Sequence, residues 1–405
     1  MIRHISMPRW RGQLRPHLAG VTQSTLAQAF NLLGIFAGSI LASSYGVFSE
    51  YRWALLVFPG LLSNRGAIGG LFSGRLSTGL HLGMVLPRFR ENTRDAYVLF
   101  SSVVTLTALS AFLLAVGGCV FSVFRYGFDL VEMLVLVRVI FVTLALSILV
   151  ISPVTFFTSV QAFNRGLDPD MVVYPITSTT ADISISFIYV AVLRLVLEGG
   201  MGFTLFSGVL MLVFIFGSLW IHFRNLGEAE YVETIREFTG TLLLVTLIVT
   251  LTGYMLGRIS EKIGGSMRVY TIYPAMIDTV GDVGSIIGST ATTKLSLGYF
   301  PAELGSIRSH LDEIFYAWSG SLILFNAYAL VSGLMYGFAG FGRLLAVVWW
   351  TNLLVIPLIA LVSFGVGIVT FQRGLNPDNF VIPFETSLAD SLTTLVLYLM
   401  IVVWF

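Results

Sequence analysis

Long apolar segments dominate this chain and restrict its fold more than any other feature. A helix needs about 20 apolar residues to cross the roughly 30 Å hydrocarbon core of a bilayer. Backbone polar groups inside lipid must be satisfied within the segment, so such segments are expected to be α-helical. The sequence has eleven of them, at residues 21–45, 53–82, 96–124, 130–162, 171–197, 203–223, 238–256, 268–297, 312–336, 342–371 and 379–404. An all-α polytopic membrane protein is therefore predicted.

Composition agrees with a membrane location. Of the 405 residues, 56% are apolar and 11% are charged, whereas soluble domains average about 45–50% apolar and about 25% charged residues. The net charge of +1 argues against a nucleic-acid partner. The sequence has neither an HExxH nor a GxSxG motif, so an intramembrane enzyme is not favoured and no cofactor is predicted.

One stretch occurs twice. Residues 165–182 read RGLDPDMVVYPITSTTAD, and residues 373–390, which lie 208 positions later, read RGLNPDNFVIPFETSLAD. Each copy opens a long apolar segment and places one carboxylate well inside it, at Asp182 and Asp390. The acids near the start of each copy, Asp170 and Asp378, follow proline and are predicted to be helix N-caps.

A second module is repeated as well. PGLLSNRGAIGGLFSGRLSTGLHLG begins at Pro59, and PAMIDTVGDVGSIIGSTATTKLSLG begins 215 positions later at Pro274. The two similar offsets indicate that a unit of five helices was duplicated. An extra helix restores the orientation of the second copy, so parallel repeats are predicted. The predicted domains are a basic cytoplasmic tail at 1–20, a first repeat at 21–198, a linker helix at 199–233 and a second repeat at 234–405.

The glycines of these modules admit two interpretations. Small residues let membrane helices approach closely. Alternatively, a helix broken at the module would direct backbone carbonyl groups toward an ion.

Positive charges predict the orientation. Lys and Arg gather on the cytoplasmic side of membrane proteins. Arginines are concentrated before the first segment and after the second, at Arg3, Arg9, Arg11, Arg15, Arg88, Arg90 and Arg94. A multi-pass cell-membrane protein with a cytoplasmic N-terminus is expected, and an odd number of helices then leaves the C-terminus extracellular.

The buried carboxylates are the candidate site. An ionised carboxylate at the centre of a membrane helix costs about 2.5–3.5 kcal/mol and usually faces a bundle interior or a wet cavity. Asp182 and Asp390 are predicted to be cation ligands, although a structural Asp bonded to a neighbouring Ser or Thr remains the alternative. Asp278 and Asp282 are four residues apart on one helix face, where like charges repel unless a cation or a proton intervenes.

Three further assignments complete the candidate site. The alternative for Asp278 and Asp282 is an exposed helix end near the outer interface. The first module has Ser63 and Ala67 at their positions, with Asn64 between them, so Asn64 is a further candidate ligand. Glu385 is either a ligand or a residue that faces the headgroups.

Oxygen ligands without His or Cys suit Mg²⁺, Ca²⁺ or Mn²⁺ rather than zinc or copper. Mg²⁺ keeps several waters and is often held by one or two carboxylates. Two symmetry-related aspartates flanked by hydroxyl groups therefore suit a largely hydrated divalent cation, and the residues alone leave Mg²⁺, Ca²⁺ and Mn²⁺ as alternatives.

At these two modules the sequence resembles the membrane domain of the MgtE-type magnesium transporters, and in particular their two-repeat branch, which includes solute carrier family 41. The resemblance rests on Pro59–Thr78 and Pro274–Thr293 together with Asp168–Asp182 and Asn376–Asp390. It implies Mg²⁺ transport through a five-helix unit that dimerises in MgtE and is fused here into a single-chain pseudo-dimer. It also implies that Asp182 and Asp390 line the central cavity. The alternative function is a Na⁺- or H⁺-coupled secondary transporter of another substrate that uses the same aspartates.

Overall fold

The computed structural model describes residues 9–165, 169–264, 266–296, 298–373 and 377–404, and it describes their side chains except at 9–16, 19, 169–175, 296 and 377–384. Throughout this part of the chain the regular structure is helical, without a strand. The helices are α1 (Arg9–Gln28), α2 (Gly34–Ser43), α3 (Tyr45–Glu50), α4 (Arg52–Leu82), α5 (Arg94–Tyr126), α6 (Leu130–Asn164), α7 (Pro169–Glu198), α8 (Gly200–Asn225), α9 (Ala229–Ile263), α10 (Met267–Ser296), α11 (Leu311–Tyr336), α12 (Phe341–Gln372) and α13 (Pro377–Trp404).

The prediction of an all-α polytopic membrane protein is confirmed. Within the described residues, ten helical segments are long and apolar enough to cross a membrane. The predicted segment at 268–297 forms α10, which has 30 residues but is not among those ten. Asp278, Asp282 and several hydroxyl and glycine residues make this helix less apolar. Protein rather than lipid surrounds α10, because most of its apolar side chains are buried.

The first predicted segment, residues 21–45, is not one regular helix. The helix already begins at Arg9, inside the predicted tail, and a 3₁₀ segment at Ala29–Leu33 then separates α1 from α2. Short 3₁₀ stretches inside a long helix often mark functional positions. Here the irregular stretch contains Asn31, a buried polar residue.

The glycine-rich modules lie within uninterrupted helices. α4 continues through Pro59 and α10 continues through Pro274. Within the described residues, the interpretation as a broken helix that exposes carbonyl groups is therefore wrong. Close packing holds at Gly284, where a Cβ atom would overlap Glu385, but a Cβ atom at Gly66 or Gly74 would meet nothing within 4 Å. α4 and α10 are the central helices of the two halves. Buried apolar residues of α10 and of the first part of α4 share one core cluster, and the second part of α4, from Ala67 to Leu80, packs in a second cluster.

Two helix crossings are so tight that only glycine fits, and they occupy equivalent positions. A Cβ atom at Gly38 of α2 would overlap the backbone carbonyl of Thr271 in α10. A Cβ atom at Gly253 of α9 would overlap the carbonyl of Leu56 in α4. Gly38 and Gly253 are 215 positions apart, as are Leu56 and Thr271. The same backbone approach is thus made twice, each time between the first helix of one half and the central helix of the other.

The two halves also exchange helices elsewhere. α1 packs against α11, and α9 packs against α5, so the first helix of each half lies on the third helix of the other. α8 lies outside this arrangement and packs on α5 and α6. Neither half therefore completes its packing without the other. The predicted N-caps Asp170 and Asp378 lie outside the described side chains.

Candidate functional site

Asp182 of α7 and Asp278 of α10 bring together carboxyl groups from the two halves of the chain. Asp182 is buried, and Oδ2 of Asp278 is buried without a hydrogen-bond partner. The two carboxyl groups lie within hydrogen-bonding reach of each other. Two ionised carboxylates within hydrogen-bonding reach repel each other, so a proton or a cation between them would stabilise the pair. The contact is therefore suited to exchanging one positively charged species for another.

Asp390 of α13, in the second half, makes the corresponding contact with the first half. Its Oδ2 accepts a hydrogen bond from the Ser63 hydroxyl of α4. Ser63 is 215 positions before Asp278, and Asp182 is 208 positions before Asp390. The last helix of each half thus extends its aspartate to the same position on the central helix of the other half. One contact joins two acids, and the other joins an acid to a hydroxyl group.

Asp282 is bound by the irregular stretch of the first segment. The Asn31 side-chain amide donates to Asp282 Oδ2 at 2.8 Å and lies 3.4 Å from the Thr279 hydroxyl. The Thr279 hydroxyl in turn lies 2.6 Å from the hydroxyl of Tyr328 on α11. The 3₁₀ stretch therefore turns a polar side chain toward α10, and Asp282 is held by a residue of the first half.

The four aspartates form one electrostatic group, which we call the four-aspartate cluster: Asp182, Asp278, Asp282 and Asp390. Asp182 interacts with Asp390 and Asp282, and Asp278 interacts with Asp282 and Asp390. Among the described residues, however, no three His, Cys, Asp or Glu side chains converge closely enough to hold a metal ion directly.

Asn64 and Arg65 follow Ser63 on α4 and are both buried, with 0% and 1% of their surfaces exposed. Within the described part of the chain, neither atom of the Asn64 amide has a hydrogen-bond partner, and the same holds for the three guanidinium nitrogens of Arg65. Arg65 interacts electrostatically with Asp182. The central helix of the first half therefore places two unsatisfied polar groups next to the cluster.

Glu385 of α13 is fully buried and does not face the headgroups. Its Oε2 accepts a hydrogen bond from the Ser285 hydroxyl at 3.0 Å, whereas Oε1 has no partner. A Cβ atom at Gly284 would collide with this carboxyl group. Glycine at this position of α10 thus provides the space that the carboxyl group occupies.

Comparison with known protein families decides the identity of the chain. The family described as "MgtE: Divalent cation transporter" matches residues 58–192 and 273–400, which together make up more than half of the sequence. The chain belongs to the MgtE family of divalent cation transporters. Comparison with curated proteins and with solved structures found no match.

The two matches to the MgtE family fall on the two halves. The first includes Pro59 and Asp182, and the second includes Pro274 and Asp390. The recurrence of one family in both halves agrees with the internal repeat. MgtE is a family of transporters rather than enzymes, and its cargo is divalent cations.

The sequence predicted five ligands for this MgtE-family chain, and their role stays a prediction. Four of the predicted ligands, the aspartates, lie in one cluster, and the fifth, Asn64, lies on the adjacent central helix. Asn31 and Arg65 were missed. Both stand inside predicted membrane segments, and a polar residue in that location is itself a signal of function.

Proposed function

We propose that this protein moves divalent cations, and Mg²⁺ in particular, across a cell membrane through the four-aspartate cluster between its two halves. The observation that carries this proposal is the pair of equivalent contacts between Asp182 and Asp278 and between Asp390 and Ser63. Each half supplies an acid that reaches the central helix of the other, so the site requires both halves. Membership of a divalent cation transporter family gives the class of cargo.

The chemistry of the cluster supports Mg²⁺. Its groups are carboxylates, hydroxyls and amides, and such hard oxygen ligands suit Mg²⁺, Ca²⁺ and Mn²⁺. Mg²⁺ gives up water reluctantly and is usually held by one or two carboxylates. Carboxyl groups that meet in pairs, as Asp182 and Asp278 do, match that requirement. The ion would enter with Asp182, Asp278, Asp282, Asp390 and Asn64 as its nearest side chains.

We propose that one chain forms the transport unit, as a pseudo-dimer of repeats at 21–198 and 234–405 joined by a linker helix at 199–233. Counting α10 as a crossing gives eleven transmembrane helices. The orientation with a cytoplasmic N-terminus and an extracellular C-terminus follows from the arginine distribution. A divalent cation that enters the cell gains about 4.6 kcal/mol per 100 mV of inside-negative potential. Uptake therefore needs no second ion.

The proposal is tested by ion flux into proteoliposomes that contain the purified protein, with a Mg²⁺ gradient as the only driving force. Mg²⁺ entry that rises with inside-negative potential is expected, because a divalent cation carries charge across the membrane. Protein-free liposomes provide the background. Absence of Mg²⁺, Mn²⁺ and Ca²⁺ flux from protein that is folded and correctly inserted would contradict the proposal.

One observation favours a coupled mechanism as the second candidate. The carboxyl groups of Asp182 and Asp278 lie within hydrogen-bonding reach, so a proton must be shared between them whenever no cation is present. Cation entry would then release a proton. In that case, flux in the same proteoliposomes would depend on an H⁺ or Na⁺ gradient. Mg²⁺ entry would also change the pH inside the proteoliposomes measurably.

Asn31 is predicted to support the site through Asp282. Replacing Asn31 by alanine removes the amide donor at 2.8 Å. Loss of a partner that orients a ligating carboxylate typically weakens metal affinity about 10–100-fold. A Mg²⁺ titration of the purified Asn31→Ala variant measures this change. Asn225→Ala is the matched control, because the Asn225 amide bonds only to the carbonyl of Ile221 on its own helix. Equal affinities in the two variants would show that Asn31 has no part in the site.

A further inference from the structure

We propose that Arg65 is a tethered cation that competes with the transported ion for the four-aspartate cluster and so sets the affinity and the release of that ion. This inference rests on the proposed function, because it assumes that the cluster binds a divalent cation. It adds an affinity-determining residue that carries the same sign of charge as the cargo.

The first argument is the isolation of the Arg65 charge. The side chain is 1% exposed and lies on α4, two residues after Ser63, which bonds to Asp390. A positive charge inside a membrane helix is costly unless negative groups compensate it. Among the side chains that the structure describes, none accepts a hydrogen bond from the three guanidinium nitrogens, so compensation from them comes through space. Asp182 supplies it.

The second argument is the space around the guanidinium group. It borders a cavity of about 10 Å³ that is lined by residues of α4, α6 and α7, namely Arg65, Gly66, Gly69, Gly70, Ile151, Thr155, Thr177, Ser178 and Ala181. This volume suffices for about one water molecule. A Cβ atom at Gly69 would lie only 3.2 Å from Arg65 Nη1. Glycine on the next turn of the helix therefore leaves room for the guanidinium, and no fixed partner clamps it.

The third argument is the asymmetry between the halves. The position equivalent to Arg65 in the second half is Val280, a buried apolar residue. The positions equivalent to Asp278 and Asp282 are Ser63 and Ala67. One central helix thus carries two acids and no cation at these positions, whereas the other carries a cation and no acid. The repeat itself does not require an arginine here, because valine occupies the same place in the other copy.

These arguments define what Arg65 does to a bound cation. Arg65 and the cargo use the same counter-charge, and two positive charges that share the carboxylate of Asp182 repel each other. Repulsion at this range remains substantial because the interior screens charge poorly. Binding is therefore weakened and departure is accelerated, which prevents the acidic cluster from becoming a permanent metal site.

The test compares three purified variants by Mg²⁺ titration and by flux in proteoliposomes. Arg65→Val, which installs the residue of the second half, and Arg65→Gln are expected to bind Mg²⁺ about tenfold more tightly or better and to show a lower maximal flux. Arg65→Lys keeps the charge and should stay near the wild type in both measurements. Unchanged or weaker binding in both neutral variants would overturn the proposal and would indicate that Arg65 only positions Asp182.

A reciprocal variant covers the case in which neither neutral variant folds. Val280→Lys adds a second tethered cation at the equivalent position near Asp390 and is expected to weaken Mg²⁺ binding about tenfold. Unchanged affinity in this variant would contradict the mechanism. Binding and flux of the wild type distinguish a failure of the proposed function from a failure of the role of Arg65. If it neither binds nor transports a divalent cation, the proposed function fails. If it does both but the charge at position 65 has no effect, only the role of Arg65 fails.

Discussion

Asparagine at position 182 or 390 is expected to reduce Mg²⁺ flux by more than about 100-fold, beyond the range typical for loss of a supporting partner. Each change removes one of the two acids that the last helices extend to the opposite central helix. Asparagine has almost the same shape and can still hydrogen bond, so packing is retained. Because buried like charges oppose folding, Asp390→Asn should not have a lower melting temperature. Asp182→Asn, in contrast, leaves the buried guanidinium of Arg65 without its counter-charge and is expected to melt at a lower temperature. Flux in proteoliposomes, together with thermal unfolding in detergent, measures both effects.

The matched control for these variants is Asp129→Asn. Asp129 is an exposed N-cap of α6 within a capping box, and asparagine caps helices equally well, so flux should equal that of the wild type.

The asymmetry between the two aspartate contacts gives a further comparison. Asp278→Asn should impair flux more than Ser63→Ala, because only the former removes a charge. Full activity of both Asp182→Asn and Asp390→Asn would exclude the cluster as the ion path.

The second large effect is expected at the two tight crossings. Alanine at Gly38 or Gly253 would force a methyl group against the backbone carbonyl of Thr271 or Leu56. A backbone carbonyl cannot rotate away, so α2 must move away from α10, or α9 from α4. Overpacking of this kind costs about 1–3 kcal/mol, and sometimes more. Lower melting temperatures and lower yields of folded protein are expected for each variant, and the double variant should not fold.

Each crossing has a glycine control on a neighbouring part of the chain. Gly257 lies one turn after Gly253 on α9, and Gly46 lies in α3; a Cβ atom at either position meets nothing within 4 Å. Alanine there should be neutral or should stabilise by about 0.5–1 kcal/mol through helix propensity. Equal melting temperatures for Gly253→Ala and Gly257→Ala would show that α9 and α4 do not approach as closely as described.

Periodicity and repeat spacing were sufficient to predict most of the fold. Lengths of apolar sequence located the helices, because a bilayer demands a minimum span and an internally satisfied backbone. The first segment is the instructive exception. Its apolar composition predicts one helix, but a 3₁₀ stretch interrupts it where Asn31 bonds to Asp282 of another helix. A contact with a residue 251 positions away leaves no trace in local hydropathy.

The candidate site, like the fold, was predictable only in part from the sequence. Each aspartate was identifiable from the sequence, because an acid inside an apolar helix needs a reason to be there. Their partners were not. Asp182 meets Asp278, and Asp390 meets Ser63, because each side chain reaches the central helix of the opposite half. Arg65, although visible as a charge within a membrane segment, acquires its significance only from its burial and from the lack of any partner for its nitrogens.

The sequence by itself therefore determined the helices, the duplication and the buried acids, since hydropathy and repetition are local properties that each residue carries along the chain. Tertiary structure decided which acids meet, which helix is interrupted and which glycines are indispensable. These features depend on the exchange of first helices between the halves, in which Gly38 and Gly253 bring backbones into direct contact. The physical reason is that such contacts arise between residues far apart in the chain, from 96 positions for Asp182 and Asp278 to 327 for Ser63 and Asp390, and their energies depend on close approach rather than on composition.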